Sequence, residues 1–425
     1  MKQIFSVKIW LFCIFLTRIF ISTSMGSIYY VDNSPTSNCS NNPSYGLETN
    51  PWCTISYALG QIRSGDTIYV KTGTYNETLY ISNLYGTENS RTLIKAHVGC
   101  MVTLQGNGIN TGRVKITGCN YLILDGFHIT NMNQGIFIEG SSTHVTVKNC
   151  TIYAIGQEGI HIRENCSYIT LEGNTIYNTD LYIYNGEGIY IGTGSTGPLD
   201  NSHHITVSNN TIYNVGDEAI ELKPGTHDCL IEGNMIFNAV SGKTWGAIEV
   251  NESILGVQYW NSNPNHIVRN NIIHDTDTAI RAGTGCIIYN NIIYDIDSED
   301  YGIFVNNPTN DPYTRKIYHN TIDVSSSNAI NMEGSNTDVR NNIGPLLEFN
   351  LSSDSSFFIS TTEGKEDYHL KYGVAPIDAG IDLTNIVGFD IDGDLRPHGL
   401  NVDIGADEYI FGTKPSIPQN LRIIK

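Results

Sequence analysis

Acids and bases recur between residues 158 and 281 at positions that one folded surface would collect. The acids are Glu158, Glu187, Asp217, Glu218, Glu221 and Glu249, and the cations are Arg163, Lys223 and Arg281. Carboxylates held close together repel unless they pair with cations, keep protons or bind a metal. An oxygen-only set such as Glu187, Asp217 and Glu218 suits Ca²⁺. The plainer reading of the same residues is a solvated sheet face laced with ion pairs.

A repeat brings these residues together. Between Gly135 and Gly344 one phrase recurs eight times: a small residue, Ile, any residue, then usually an apolar one. It reads Gly135-Ile-Phe-Ile, Gly159-Ile-His-Ile, Gly188-Ile-Tyr-Ile, Ala219-Ile-Glu-Leu, Ala247-Ile-Glu-Val, Ala279-Ile-Arg-Ala, Gly302-Ile-Phe-Val and Ala329-Ile-Asn-Met. An alternating strand ending in Asn and another Ile completes each unit, as in Leu171-Glu-Gly-Asn-Thr-Ile176. Strand-only repeats with Asn at one fixed turn mean a solenoid of the parallel β-helix type. Side chains alternate along a strand, so the Ile and the next residue but one face the core. The outward column then holds Phe137, His161, Tyr190, Glu221, Glu249, Arg281, Phe304 and Asn331, with Glu139, Arg163 and Lys223 beside it. Rungs stack about 4.8 Å apart, which makes one polar stripe of residues far apart in sequence.

The turn residues align as Asn174, Asn210, Asn234, Asn271, Asn291, Asn320 and Asn342, with Cys150 in the same slot one rung earlier. Asn accepts the left-handed backbone of a tight corner, and its amide can bond the rungs above and below. That corner keeps its length. Insertions flank the Gly/Ala-Ile strand instead, at 178–186 and 240–246 before it and at 194–203, 252–266 and 307–315 after it. Long loops gathered on one face of a rigid scaffold build binding sites. These carry Tyr182, Tyr184, Trp245, Tyr259 and Trp260, flat faces suited to sugar rings and equally to packing on the barrel.

Residues 1–24 carry Lys2, Lys8 and Arg18, the apolar run Ile9 to Leu16 and no acid, which reads as a secretory signal peptide. Its removal takes the net charge from −19 to −22. So acidic a body repels nucleic acid and anionic membranes, and an anionic ligand needs a local basic track or a bridging cation. Cys39 and Cys53 bracket a Ser/Asn/Pro-rich loop where an exported protein is expected to form a disulfide. Cys150, Cys229 and Cys286 fall at inward positions and read as packing thiols.

Residues 26–80 read as a strand (Ser27 to Val31), a loop, a helix from about Thr54 to Ile62, and a strand Thr67 to Val70 that begins the sheet. The helix would cover the open solenoid end. After Gly344 the pattern stops. The Asp390, Asp392, Asp394 triplet is expected to form a turn in a C-terminal cap, not a calcium loop.

The repeats over about 100–345 resemble the pectate-lyase-like superfamily of right-handed parallel β-helix proteins. Tyr29-Tyr-Val-Asp32, Gly65-Asp-Thr-Ile-Tyr-Val70, Gly73-Thr-Tyr75 and Asp403-Ile-Gly-Ala406 are similar to a widespread class of exported bacterial proteins with that fold. The resemblance implies an all-β, right-handed parallel β-helix at 25–345 with an N-terminal helical cap. A C-terminal cap segment at 346–410 and a linker at 411–425 follow it. One segment is sharper: Gly216-Asp-Glu-Ala-Ile-Glu-Leu-Lys223 resembles the motif of chondroitinase-B-like and alginate lyases, and of calcium-dependent pectate lyases with a Lys base. It implies Ca²⁺ on Glu187, Asp217 and Glu218 and Lys223 as base. Arg281, Lys243 or water would return the proton.

On that reading an acidic polysaccharide undergoes β-elimination. The cation neutralises the uronate carboxylate and stabilises enolate-like charge, while Lys223, neutral near pH 7, removes the C5 proton. Arg163 is expected to help depress the Lys223 pKa. His161, Arg163, Tyr190, Glu221, Glu249, Trp245 and Trp260 are the expected substrate contacts, and the protein is expected to be a secreted monomer. Three alternatives stay open: a glycoside hydrolase using Glu221 and Glu249 on adjacent rungs, a C5-epimerase, and a non-catalytic glycan-binding surface protein.

Overall fold

The computed structural model describes residues 26–182, 186–194, 199–239, 245–250, 264–305, 312–325, 327–332, 336–345 and 347–412. The expected residues stack. Ile136, Ile160, Ile189, Ile220, Ile248, Ile280, Ile303 and Ile330 lie in register on successive strands. All are buried, and each contributes about 1.5–3 kcal/mol of apolar burial. The small residue before each Ile has a steric cause. A Cβ on Gly188 would sit 2.6 Å from the Ala219 carbonyl oxygen and 2.7 Å from Ile212 Cγ2.

Successive strands go to successive sheets, giving three long parallel sheets of 12, 10 and 12 strands. This is the all-β parallel β-helix that the repeat predicts. The ten-stranded sheet carries the Gly/Ala-Ile strands and is the working sheet. The coil starts earlier than the repeat does. Ile28–Val31 already pairs with Thr67–Val70, and the working sheet begins at Tyr80–Ser82. In these first turns simple alternation, as in Ile68/Val70 and Val102/Leu104, buries the core face without the later phrase.

The helix is Ile55–Leu59, shorter than expected. Thr54 caps it by accepting the Tyr57 N–H, and the Glu77 carboxylate accepts the N–H groups of Ile55 and Ser56 at 3.0 and 2.8 Å. Ile55 and Ala58 join the core of Val31 and Ile68. The Cys39–Cys53 disulfide forms, with Cα atoms 5.0 Å apart. Cys150, Cys229 and Cys286 are buried free thiols.

At the Asn corner two residues divide a task that the sequence reading gave to one. The left-handed residue is the one before Cys150 and before each ladder Asn: Asn149, Gly173, Asn209, Gly233, Asn270, Asn290, His319 and Asn341 have φ between 50° and 64°. The ladder Asn itself turns inward. Asn174 donates through its backbone N–H and its Nδ2 to Asn210 Oδ1, at 2.9 and 3.0 Å. The same pair of bonds repeats from Asn210 to Asn234, Asn271, Asn291, Asn320, Asn342 and finally Asn350. A second Nδ2 bond reaches a strand carbonyl, Val147 for Asn174. Each buried amide is thereby satisfied.

The segment after Gly344 does more than follow the last rung. An antiparallel pair, Phe358–Ser360 with Asp367–Leu370, leads into chain that runs back along the corner. The outward side chains of the left-handed corner residues catch it: Asn290 donates to the Phe389 carbonyl and Asn341 to the Ile381 carbonyl, both at 2.7 Å. The Asp390 carboxylate accepts the N–H groups of Asp392 and Asp394, so the triplet is a turn. The expected signal peptide lies outside the described residues, as does 413–425 of the expected linker. No helix among the described residues is long and apolar enough to cross a membrane.

Candidate active site

The outward column forms as the alternation predicts. Phe137, His161, Tyr190, Glu221, Glu249, Arg281, Phe304 and Asn331 occupy matched positions on neighbouring working strands. Most of it is covered, not solvated: Glu221 and Glu249 are each 1% exposed. Beside it runs a second column in the turn before each strand. Gly159 N–H donates to the Glu187 carbonyl and Gly188 N–H to the Glu218 carbonyl, which stacks Glu158, Glu187 and Glu218.

The three residues expected to bind metal converge. Glu187, Asp217 and Glu218 each place a carboxylate oxygen within 4.8 Å of the other two. Burial, then the charges of Glu221, Glu158 and Asp217, lifts the Glu187 carboxyl well above the usual carboxylate range. Burial, then Glu221 and Asp217, pushes Glu218 up to about 10. Glu158 goes the other way. Burial opposes its ionisation, but His161 and Gln134 hold it below its ordinary value, with Gln134 Nε2 donating to it at 2.7 Å. The contrast marks Glu187 and Glu218 as acids that need a proton or a cation. Glu187 Oε2 is buried with no hydrogen-bond partner. Three converging carboxylates offer an all-oxygen set, which fits a hard divalent cation.

Lys223 directly follows the strand Ile220–Leu222, at the end opposite the turn that carries Asp217 and Glu218, and pairs with Glu221. Its Nζ lies 5.4 Å from the Tyr190 ring centroid. Gly192 makes room for it, because a Cβ there would stand 2.7 Å from Lys223 Cβ. The Gly192 carbonyl accepts from His161 Nε2 at 3.0 Å. Arg281 stands one rung beyond Glu249, 3.9 Å from its Oε1. Its guanidinium lies 5.3 Å from the Trp245 ring centroid and 5.4 Å from that of Phe304.

Arg163 departs from expectation. It is two rungs from Lys223, about 10 Å, and is bound to Glu139 at 3.2 Å and Glu164 at 3.4 Å. It and Arg113 also both lie over the Phe137 ring, 4.8 and 4.6 Å from its centroid. The Arg163 charge is engaged locally by the Glu139 and Glu164 carboxylates. Lys243 and Trp260 lie outside the described residues, as do Tyr184 and Tyr259.

Sequence reasoning did not single out Gln134, whose side chain orients Glu158. Nor does it place Asp180 here. The Asp180 carboxylate packs against Gly216, next to Asp217, where a Cβ on Gly216 would meet Asp180 Oδ2 at 2.7 Å, and its Oδ1 is buried without a partner. The glycines at 186 and 216 were the available signal, since both yield space to Asp180. A cavity of about 1220 Å³ lies elsewhere, between the third sheet and residues 361–366. It is lined by Phe237, His274 and Tyr294, whose rings stack nearly parallel at 4.8–5.2 Å and so turn edges, not faces, outward. None of the expected site residues lines it.

With fold and site in place, comparison with known proteins assigns the class. A Pel9A-like, right-handed beta helix region model matches residues 29–189, and a right-handed beta helix region model matches 198–343. Both models describe a right-handed β-helix, and the chain is a right-handed parallel β-helix protein. Among solved structures it is similar to pectate lyase Pel9A (TM-score 0.62, 17% identity, 91% of this chain and 97% of that one). It is also similar to an alginate lyase from Paenibacillus sp. str. FPU-7 (TM-score 0.56, 21% identity, 67% of this chain and 96% of that one). A glycoside hydrolase shares the fold as well (TM-score 0.58, 11% identity, 77% and 99%). At these identities the likeness is one of fold. No curated protein sequence matches the chain.

Proposed function

We propose that this protein is a secreted polysaccharide lyase that cleaves a uronic-acid-containing chain by β-elimination. The observation that carries the reading is the convergence of Glu187, Asp217 and Glu218 on the sheet face that presents Lys223. Ca²⁺ held by those three carboxylates would neutralise the substrate carboxylate and acidify the C5 proton. Lys223 is the base. Its stem is fixed by Gly192 and Tyr190, and Glu221 holds the resting ammonium. A cation on the carboxylate cluster would favour release of the ammonium proton to solvent, leaving the neutral amine that takes the C5 proton. Arg281, two rungs from Glu221 and braced by Trp245 and Phe304, suits a uronate carboxylate in a neighbouring subsite. Return of the proton to the leaving oxygen then falls to water or to Lys243.

A glycoside hydrolase is the second reading, because Glu221 and Glu249 are paired on adjacent strands. Each is matched to its own cation, Lys223 or Arg281, which favours two ionised carboxylates where that chemistry needs one protonated. Acidic polysaccharides incubated with wild type and Lys223→Ala decide between them. The lyase predicts ultraviolet absorbance from unsaturated uronate, abolished in the variant and by chelator. New reducing ends without that absorbance would establish the hydrolase.

A further inference from the structure

A second converging set lies far from the working sheet, where the returning C-terminal segment packs on itself. We propose that His369, Asp392 and Asp407 bind one divalent transition-metal ion of the Zn²⁺ type, which fastens three separate stretches of that segment together. His369 comes from the strand Asp367–Leu370, Asp392 from the Asp390 turn, and Asp407 from the stretch that follows Asp403. One ligand atom from each lies within 4.8 Å of the other two.

The imidazole is arranged as metal-bound histidines are. Its Nδ1 lies 2.5 Å from Asp367 Oδ1, which fixes the ring and leaves Nε2 facing Asp392 Oδ2 at 2.7 Å. A carboxylate on the far ring nitrogen is the usual outer partner of a ligating histidine. The Asp392 side chain is 2% exposed, yet its Oδ1 has no hydrogen-bond partner. A buried carboxylate oxygen without a donor is costly, and a cation removes the cost. Asp407 is held by the Leu370 N–H at 2.8 Å.

Charge points the same way. Asp367, Asp392 and Asp407 face a single imidazole, and the nearby Arg396 is committed to Glu408 and to the carbonyls of Gly405 and Ala406. On binding, the Nε2 proton is released to solvent and the lone pair goes to the metal. One imidazole nitrogen with carboxylate oxygens selects Zn²⁺ or Mn²⁺ over Ca²⁺.

The test uses the full chain carrying Glu187→Gln and Glu218→Gln, so that the working-face cluster takes up no ion. After chelation and dialysis, Zn²⁺ is titrated calorimetrically and thermal melting is followed. We expect one more equivalent bound than in the same protein with His369→Gln, and a rise in Tm with Zn²⁺ that Ca²⁺ does not reproduce. Asp367→Asn, which keeps the ring in place, should weaken Zn²⁺ binding about 10–100-fold. Equal Zn²⁺ stoichiometry with and without His369 would overturn the proposal. If His369→Gln fails to fold, unchanged affinity in Asp367→Asn does the same. A Tm indifferent to Zn²⁺ would leave a metal-free ion triad of Asp367, His369 and Asp392.

Discussion

Gly192 and Lys223 face each other across one rung, so close that the glycine hydrogen occupies the only space a side chain would take. A Cβ at Gly192 would lie 2.7 Å from Lys223 Cβ, and the Gly192 φ of 114° disfavours any other residue. Gly192→Ala should therefore displace the Lys223 stem. Product formation should fall at least tenfold while the chain still melts cooperatively, with a stability loss of about 1–3 kcal/mol from backbone strain. Wild-type turnover in the variant would show that the position of Lys223 is immaterial.

Buried ionisable groups tilt stability in opposite senses. With no cation beside it, Glu218 is pushed up to about 10, whereas an unfolded Glu titrates near ~4.3. The folded chain then holds the extra proton, and stability falls as pH rises through that interval, by about 1.4 kcal/mol per pH unit for one proton. Glu187 acts in the same direction. Burial lowers His266 to about 3, and burial with Arg396 holds His319 well below its ordinary value. There the unfolded chain binds more protons, so stability is lost as pH falls below ~6.5. Chelated protein should melt highest between these limbs, near pH ~5–6.5. Glu218→Gln should flatten the alkaline limb and spare the acid one, as judged from Tm against pH.

Calcium addition follows the same logic. A cation on Glu187, Asp217 and Glu218 replaces the protons that they otherwise retain, so the gain in Tm should be larger at pH 8 than at pH 5. A thousandfold excess over Kd corresponds to about 4 kcal/mol. The gain should vanish in the Glu187→Gln, Glu218→Gln double variant. An equal gain in that variant would move the cation elsewhere.

Asn234→Ala removes the acceptor of two buried donors, the backbone N–H and Nδ2 of Asn210. Each orphaned donor costs about 1–3 kcal/mol, so urea unfolding should show a loss of about 2–6 kcal/mol. Substituting the exposed Tyr85 should change stability by less than about 0.5 kcal/mol. A neutral Asn234→Ala would mean that water replaces the amide at the corner.

The coil was legible because each turn repeats one steric solution: a small residue beneath the next backbone, an Ile inward, a polar residue outward. Even the grouping of Glu187, Asp217 and Glu218 follows from register alone. What escaped detection depended on contacts without a period. Arg163 turns to Glu139 because Phe137 offers a ring on that side. Asp180 sits by Asp217 only through the two glycines that admit it. The left-handed corner residue was misassigned because Asn often fills both places, as in Asn209-Asn210, and only the Gly-Asn pairs at 173 and 233 separate the roles. The fold-back of 353–409 has no repeat and could not be aligned with anything.

The asparagine column has a direction. In the Asn-to-Asn bonds each residue donates towards the higher-numbered rung and accepts from the lower one, from the Cys150 N–H to Asn350, while the second Nδ2 hydrogen goes back to a strand carbonyl one rung earlier. The two ends of the molecule are therefore chemically unlike. Deleting coils from the front frees an amide oxygen and one Nδ2 hydrogen of a ladder Asn. Deleting them from the back strands paired N–H groups in an apolar interior. A shortened or grafted version of this scaffold is thus better begun late than ended early.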